Sequence, residues 1–321
     1  MSSFLDMLDG VKSSLQVLDS VRLNFSPGSL TIMNVILAFV MFGIALQINV
    51  SEFKDVIKKP KSFLIGVVSQ IFLLPFATFL LCLALRPVLS ETVAMGMILV
   101  AACPGGNISN FMTSLARGNV PLGVSMTAFS TLNCVLVTPF NFWFWGNLYS
   151  KASKLVEEPI VINFWEMAQT VLLLLGIPIV LGVLFARYFP LLTKKLIKPM
   201  SIFSIIAFIT FVVAALYANI GYFIKYIHLI GLLVIAHNAM AFLIGNSVSR
   251  LARLSWQDIR AVTIEMGIQN SGLGLVLIFN PKLFDGLGGM AFIAAWWGIW
   301  HIIAGMGLSS FWRWKDRRVK R

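Results

Sequence analysis

The chain has 321 residues, 58% of them hydrophobic and only 12% charged, with a formal net charge of +12. Several apolar runs approach the roughly 20 residues that cross a bilayer, which makes this a polytopic membrane protein with the lipid bilayer as its surroundings and excludes a soluble one. The basic residues gather at the ends of apolar runs, where membrane topology explains them, so nucleic acid is excluded as a partner.

In chain order, residues 1–29 carry Asp6, Asp9, Lys12, Asp19 and Arg22 between short apolar steps and end in Ser-Pro-Gly. This is neither a span nor a signal peptide, which would show a basic start and an apolar core. It reads as a peripheral amphipathic lead-in. Apolar runs then predict nine spans, at about 31–48, 62–85, 92–115, 119–146, 164–186, 200–222, 226–249, 257–280 and 287–311, followed by a basic tail at 313–321. Cys82, Cys103 and Cys134 fall inside spans at unrelated spacings, suggesting buried thiols and not a disulfide framework or a metal cluster.

Placing the 48–61 loop inside puts 18 of the 25 basic residues on the cytoplasmic side, among them Arg117, Arg250, Arg253, Arg260 and the six of the tail. The bias predicts an outward N-terminus and a cytoplasmic C-terminus in the plasma membrane, or the inner membrane of a Gram-negative cell.

Residues 261–276, Ala-Val-Thr-Ile-Glu-Met-Gly-Ile-Gln-Asn-Ser-Gly-Leu-Gly-Leu-Val, have apolar flanks but carry Glu265, Gln269, Asn270 and Ser271 with three glycines at their centre. A charge at bilayer depth costs roughly 2.5–3.5 kcal/mol, so an intramembrane carboxylate marks a functional site. Of the 13 acidic residues only Glu265 lies deep in a span. A second interrupted span matches it. Residues 98–115 place Pro104-Gly105-Gly106-Asn107 between apolar flanks, and proline with glycine breaks the helix there. The broken spans are the third and eighth, and an offset of five spans inserts the two halves with opposite topology. Paired interruptions in inverted halves, 30–150 and 160–312, point to a transporter's binding site. Unwound carbonyls at such breaks bind a cation, while the following half-helix starts offer N–H groups to an anion. Glu265, Gln269, Asn110, Ser109 and Thr127 supply hard oxygens that suit sodium better than zinc.

An intramembrane hydrolase would need a nucleophile with a base or an HExxH-type pair, and neither spacing is present, so the chain is read as a carrier and not an enzyme. A channel has no need of broken inverted halves around one carboxylate, and nine spans do not fit a seven-span receptor. A proton-coupled or uncoupled carrier in which Glu265 titrates is the remaining alternative. His237-Asn238, mid-span, reads as interhelical hydrogen bonding and not as a proton path. Trp296, Trp297, Trp300, Trp312 and Trp314 bracket the last span, the outer ones as interfacial anchors.

Pro104-Gly-Gly-Asn-Ile-Ser-Asn110, Leu115-Ala-Arg-Gly-Asn119, Ser130-Thr131 and Glu265-Met-Gly-Ile-Gln-Asn270 resemble the signatures of the bile acid:sodium symporter family, over nearly the whole chain from about residue 31. The resemblance implies an all-α inverted-repeat transporter with two broken, crossing helices. Its core domain would comprise 62–146 and 226–311, and its panel domain 31–48 and 164–222. Nine spans resemble the animal bile acid carriers more than the ten-span bacterial relatives, the first span of the first repeat being absent. It implies two sodium ions as coupling ions and no further cofactor. The first falls on Ser109, Asn110, Thr127 and Glu265, and the second on Gln70, Glu265, Gln269 and the carbonyls of Met266 and Ile268. An organic anion, bile acid-like or a small carboxylate, would meet Asn107, Ile108, Asn270, Ser271 and His301. Gly123 stands where the family usually has a serine of the first site, with Ser125 about 200° round the helix from it, and Ile302 replaces a polar residue beside His301.

Overall fold

The computed structural model describes residues 2–22, 27–46, 60–106, 108–153, 163–218 and 220–319. Among these the chain is helical, with two isolated β-bridges and no strand. We number the helices α1 (Ser2–Ser20), α2 (Pro27–Ala45), α3 (Pro60–Ala84), α4 (Glu91–Ala102), α5 (Ile108–Leu115), α6 (Val120–Ser153), α7 (Phe164–Tyr188), α8 (Pro190–Ala218), α9 (Ile220–Leu251), α10 (Trp256–Gly267), α11 (Ser271–Phe279) and α12 (Gly288–Val319). Five of them, α3, α6, α7, α9 and α12, contain stretches long and apolar enough to cross a membrane by themselves. This is a multi-pass membrane protein.

Hydropathy locates a helix's membrane depth better than its ends. The sixth predicted span begins at 200, whereas α8 starts at Pro190 and carries Lys194, Lys195 and Lys198 through an interior Pro199. Charged turns lengthen a helix into water without changing its backbone. Likewise Lys225, at the boundary of the apolar run in sequence, lies inside α9 with its ammonium 5.2 Å from the centre of the Tyr226 ring, a cation–π approach.

The lead-in contributes α1, whose Leu15 and Leu18 are fully buried. Asp19 Oδ1 accepts from Thr92 N (3.2 Å) and Thr92 Oγ1 (2.5 Å), so a carboxylate from α1 satisfies donors at the start of α4, where the helix dipole favours negative charge. Gly288 N donates to Val21 O at 2.9 Å, tying the same segment to the start of α12.

The helices pack as one connected bundle, with α7 joining α2 to α6. α2 packs against α7 and α8, with Gly182 so close that a Cβ would lie 2.6 Å from Ala45 Cβ. α4 packs against α12 with Gly96 facing the Met290 backbone, α9 against α10, and α6 against α3, α4, α5 and α10. Small residues permit such close approach inside a bilayer, where apolar burial between helices gives little drive.

Candidate functional site

Both interrupted spans are broken, and the breaks meet. α4 stops at Ala102, with Cys103 extended (φ −70°, ψ 154°), and α5 begins at Ile108. α10 stops at Gly267, with Ile268 at φ −114° and ψ 96°, and α11 begins at Ser271. Gly105 and Gln269 form an antiparallel bridge, Gly106 N donates to Ile268 O (2.8 Å), and Asn270 N donates to Pro104 O (2.8 Å). Two helix C-termini and two N-termini therefore converge on one point in the bundle interior, with partial negative and positive ends side by side.

Glu265, on the last turn of α10, is fully buried. Its Oε2 accepts from Ser109 Oγ (2.5 Å) and its Oε1 lies 2.7 Å from Thr127 Oγ1, which is also 3.0 Å from Gly123 O. No Lys, Arg or His forms an ion pair with it among the described residues. Three helices thus bring Ser109, Thr127 and Glu265 together. The backbone leaves the space: a Cβ on Gly105 would overlap Glu265 Oε1 and come 2.9 Å from Gln70 Nε2.

Asn110 Oδ1 is buried without a hydrogen-bond partner, and a Cβ built on Gly123 lies 3.2 Å from it. Gly123 therefore faces the same group. Ser125, two residues on, is buried elsewhere with its hydroxyl unpartnered.

Gln70 sits in a π-turn, Ser69–Leu73, inside α3, a distortion frequent at functional sites. Pro75 gives a local reason for it. Lacking an N–H, it leaves Ile71 O without its helical donor, and Asn141 Nδ2 of α6 supplies one at 2.8 Å. Both amide atoms of Gln70 are buried and unpartnered. On the other break, Gln269 Nε2 donates to Met266 O (2.9 Å) while its Oε1 is unpartnered. Met266 O and Ile268 O each accept one hydrogen bond, leaving a lone pair apiece.

At the half-helix starts, Asn270 Oδ1 accepts from Leu273 N (3.1 Å) and caps α11. Ser271 is buried with an unpartnered hydroxyl, and Ile108 is half-buried. Asn107 lies outside the described residues. His301 is buried on α12 with Nδ1 unpartnered, one turn before Gly305, which packs against Met112 and Ile268. Its neighbour Ile302 borders the small apolar cluster of Met112, Ala116, Ile264 and Ile268.

His237 and Asn238 are engaged between helices. His237 Nε2 lies 2.8 Å from Thr78 Oγ1 and its ring packs edge-on against the fully buried Trp297. Asn238 Nδ2 donates to Gly267 O at 2.7 Å, satisfying a carbonyl that the end of α10 leaves open.

Three contributors were given no ligand role from sequence, although Gly105 and Ser130 lie in its motifs. Gly105 provides room, Ser130 Oγ accepts from Gly105 N (3.3 Å) and donates to Thr127 O (3.1 Å), and Thr113 Oγ1, buried and unpartnered, lies 3.6 Å from the Gly123 Cβ position. Helical spacing was the available signal, since Thr127 with Ser130 and Asn110 with Thr113 are i, i+3 pairs.

Comparison with known proteins bears on this arrangement. A family model described as Sodium Bile acid symporter family matches residues 34–226. The chain is 32% identical over 290 residues, 89% of its own length and 84% of the relative's, to an uncharacterized sodium-dependent transporter YocS of Bacillus subtilis (strain 168). It is 30% identical over 286 residues to a probable sodium/metabolite cotransporter, BASS1, chloroplastic, of Arabidopsis thaliana, covering 86% of this chain and 65% of that one. To the ileal sodium/bile acid cotransporter of Homo sapiens it is 26% identical over 258 residues, 78% of this chain and 71% of the relative.

Proposed function

The chain belongs to the Sodium Bile acid symporter family, whose members are transporters and not enzymes, and from that premise we propose that it is a sodium-coupled symporter importing an organic anion by alternating access. The observation that carries the reading is Glu265: a fully buried carboxylate between two helix breaks, bonded to two hydroxyls and to no cationic side chain among the described residues. A buried charge is tolerated when paired or ligated. Around it, Asn110 Oδ1, Gln70 Oε1 and Gln269 Oε1 are oxygen acceptors without donors. An acceptor that meets no N–H is satisfied by a cation, and amide, hydroxyl and carboxylate oxygens are the hard donors an alkali ion takes.

In this reading the first sodium ion is held by Ser109, Asn110, Thr127 and Glu265, with Thr113 beside them. The second is held by Gln70, Glu265, Gln269 and the remaining lone pairs of Met266 O and Ile268 O. The anion's negative group meets the starts of α5 and α11, at Asn107, Ile108, Asn270 and Ser271, where N–H groups and the positive dipole ends point. His301, buried on α12 with an unpartnered Nδ1, is the further substrate ligand in this reading. Nine spans with an outward N-terminus follow from the hydropathy pattern and the basic bias. Helices α2, α7 and α8 form a panel against which the remaining helices rock as a core, exposing the crossing to each side in turn. Two sodium ions with a monovalent anion carry one net positive charge inward, about 2.3 kcal/mol per 100 mV of membrane potential beyond the ion gradients. The relatives' names mention a bile acid and a metabolite, and the anion in this reading is bile acid-like or a small carboxylate.

The test is uptake into proteoliposomes, with labelled anions and sodium or potassium outside. Sodium should drive uptake, and Glu265→Gln, a neutral isostere, should abolish it in a protein that still folds. Uptake indifferent to sodium but driven by an inward proton gradient would replace this reading with proton coupling through Glu265.

A further inference from the structure

Away from the crossing, one end of the bundle holds a cavity of about 470 Å³ between the ends of α5, α9 and α12 and the start of α10. Arg117, Arg250, Arg260 and Lys315 line it, with Asp316 the single acid among the described residues. Asp316 takes both Arg260 nitrogens at 2.7 Å, and Arg260 also donates to Ala116 O at 2.6 Å. Arg117, Arg250 and Lys315 are in no ion pair among the described residues. Among the described residues the cavity therefore presents three cations without a carboxylate partner, Arg250 donating only to the neutral Asn246 Oδ1 (2.7 Å), and Arg260 is fixed as its wall between Trp256 and Trp312, 4.5 and 5.5 Å from their rings.

The backbone at Arg117 supplies a variant that separates binding from folding. The end of α5 is a Schellman turn, with Gly118 N donating to Thr113 O (2.8 Å) and Arg117 N to Ser114 O (3.0 Å). Arg117 holds the left-handed position (φ 56°) that glycine normally takes, while the glycine stands one residue later. An arginine is thus held in a conformation that disfavours it, where its side chain enters the cavity lining.

We propose that this cavity binds the phosphate of an acidic phospholipid headgroup, with Arg117, Arg250 and Lys315 as its ligands. Guanidinium forks match phosphate oxygens in pairs, and a tetrahedral dianion or monoanion offers several acceptors to three converging cations. The surroundings favour a lipid over free phosphate. Half-exposed Trp256 lines the site, and strongly exposed apolar residues flank it, Leu251 (82%) next to Arg250 and Phe311 (53%) next to Trp312. Indoles and basic side chains at a membrane–water boundary, with apolar surface below them, suit a headgroup whose acyl chains remain in the bilayer. The proposal is independent of sodium coupling.

The test is calorimetric titration of the purified full chain in neutral detergent with a short-chain phosphatidylglycerol, the matching phosphatidylcholine, and inorganic phosphate. Phosphatidylglycerol should bind at least about tenfold tighter than phosphatidylcholine, and Arg250→Gln and Arg117→Gly should each weaken it about tenfold, the loss expected for one charge-assisted contact. Arg117→Gly is the discriminating variant, since glycine suits that backbone and the melting temperature should hold or rise while binding falls. Inorganic phosphate binding as tightly as phosphatidylglycerol, with the same loss in both variants, would assign the site to free phosphate and overturn the lipid. Equal binding of the two lipids, or both variants binding like wild type, would overturn the site altogether.

Discussion

The two helix breaks do the same thing by opposite means. In the first, the backbone itself is altered: Pro104 has no N–H, so Cys103 N is shared between Leu99 O and Val100 O (3.1 and 3.2 Å), and Gly105 has no side chain. In the second, no proline intervenes and side chains do the work, Asn238 capping Gly267 O, Gln269 capping Met266 O and Asn270 capping Leu273 N. The first break contributes space together with Ser109 and Asn110 at the start of α5, the second the carboxylate of Glu265 and the amides that cap its own backbone. Neither is complete alone, because the room left by Gly105 is filled by Glu265 from the opposite break.

The largest expected effect comes from filling that space. Gly105→Ala places a methyl group on Glu265 Oε1 and against Gln70 Nε2, so sodium-dependent uptake should fall to background although no charge is lost. Wild-type uptake in this variant would mean that the first break does not serve as room for the carboxylate.

Asn238→Ala attacks the second break from outside. It leaves a buried carbonyl at Gly267 unpaired, which should cost on the order of 1–3 kcal/mol, read as a lowered melting temperature in detergent. At the first break no side chain among the described residues caps a carbonyl, so no equivalent substitution exists there.

Smaller effects separate the two cation positions. Thr127→Ala and Gln70→Ala should each weaken sodium binding by about five- to thirty-fold, equivalent to roughly 1–2 kcal/mol. Sodium titrations of both purified variants that overlay wild type would refute the assignment of these ligands.

The smallest is a gain. Gly123→Ser adds a hydroxyl beside Asn110 Oδ1, and a Cβ there is tight at 3.2 Å, so a few-fold tightening of sodium binding is expected, with Gly123→Ala giving none. Unchanged or weaker affinity in Gly123→Ser would mean the first shell needs no further ligand.

Sequence determined the membrane class and the positions of both interruptions, because burying apolar length and breaking a helix are local properties of composition, proline and glycine. It also isolated Glu265, since a lone deep carboxylate is visible in one dimension. The resemblance to a family named Gln70, but no local pattern did; its π-turn and burial arise where Pro75 meets Asn141 of another helix. Only the tertiary structure decided that the two breaks pair through Gly106–Ile268 and Asn270–Pro104, that Asp19 caps α4 from the lead-in, and that Gly123 rather than Ser125 faces Asn110. Each is a contact between residues distant in sequence. Which carbonyl keeps a free lone pair is settled by the neighbour that reaches it, and that neighbour is chosen by packing.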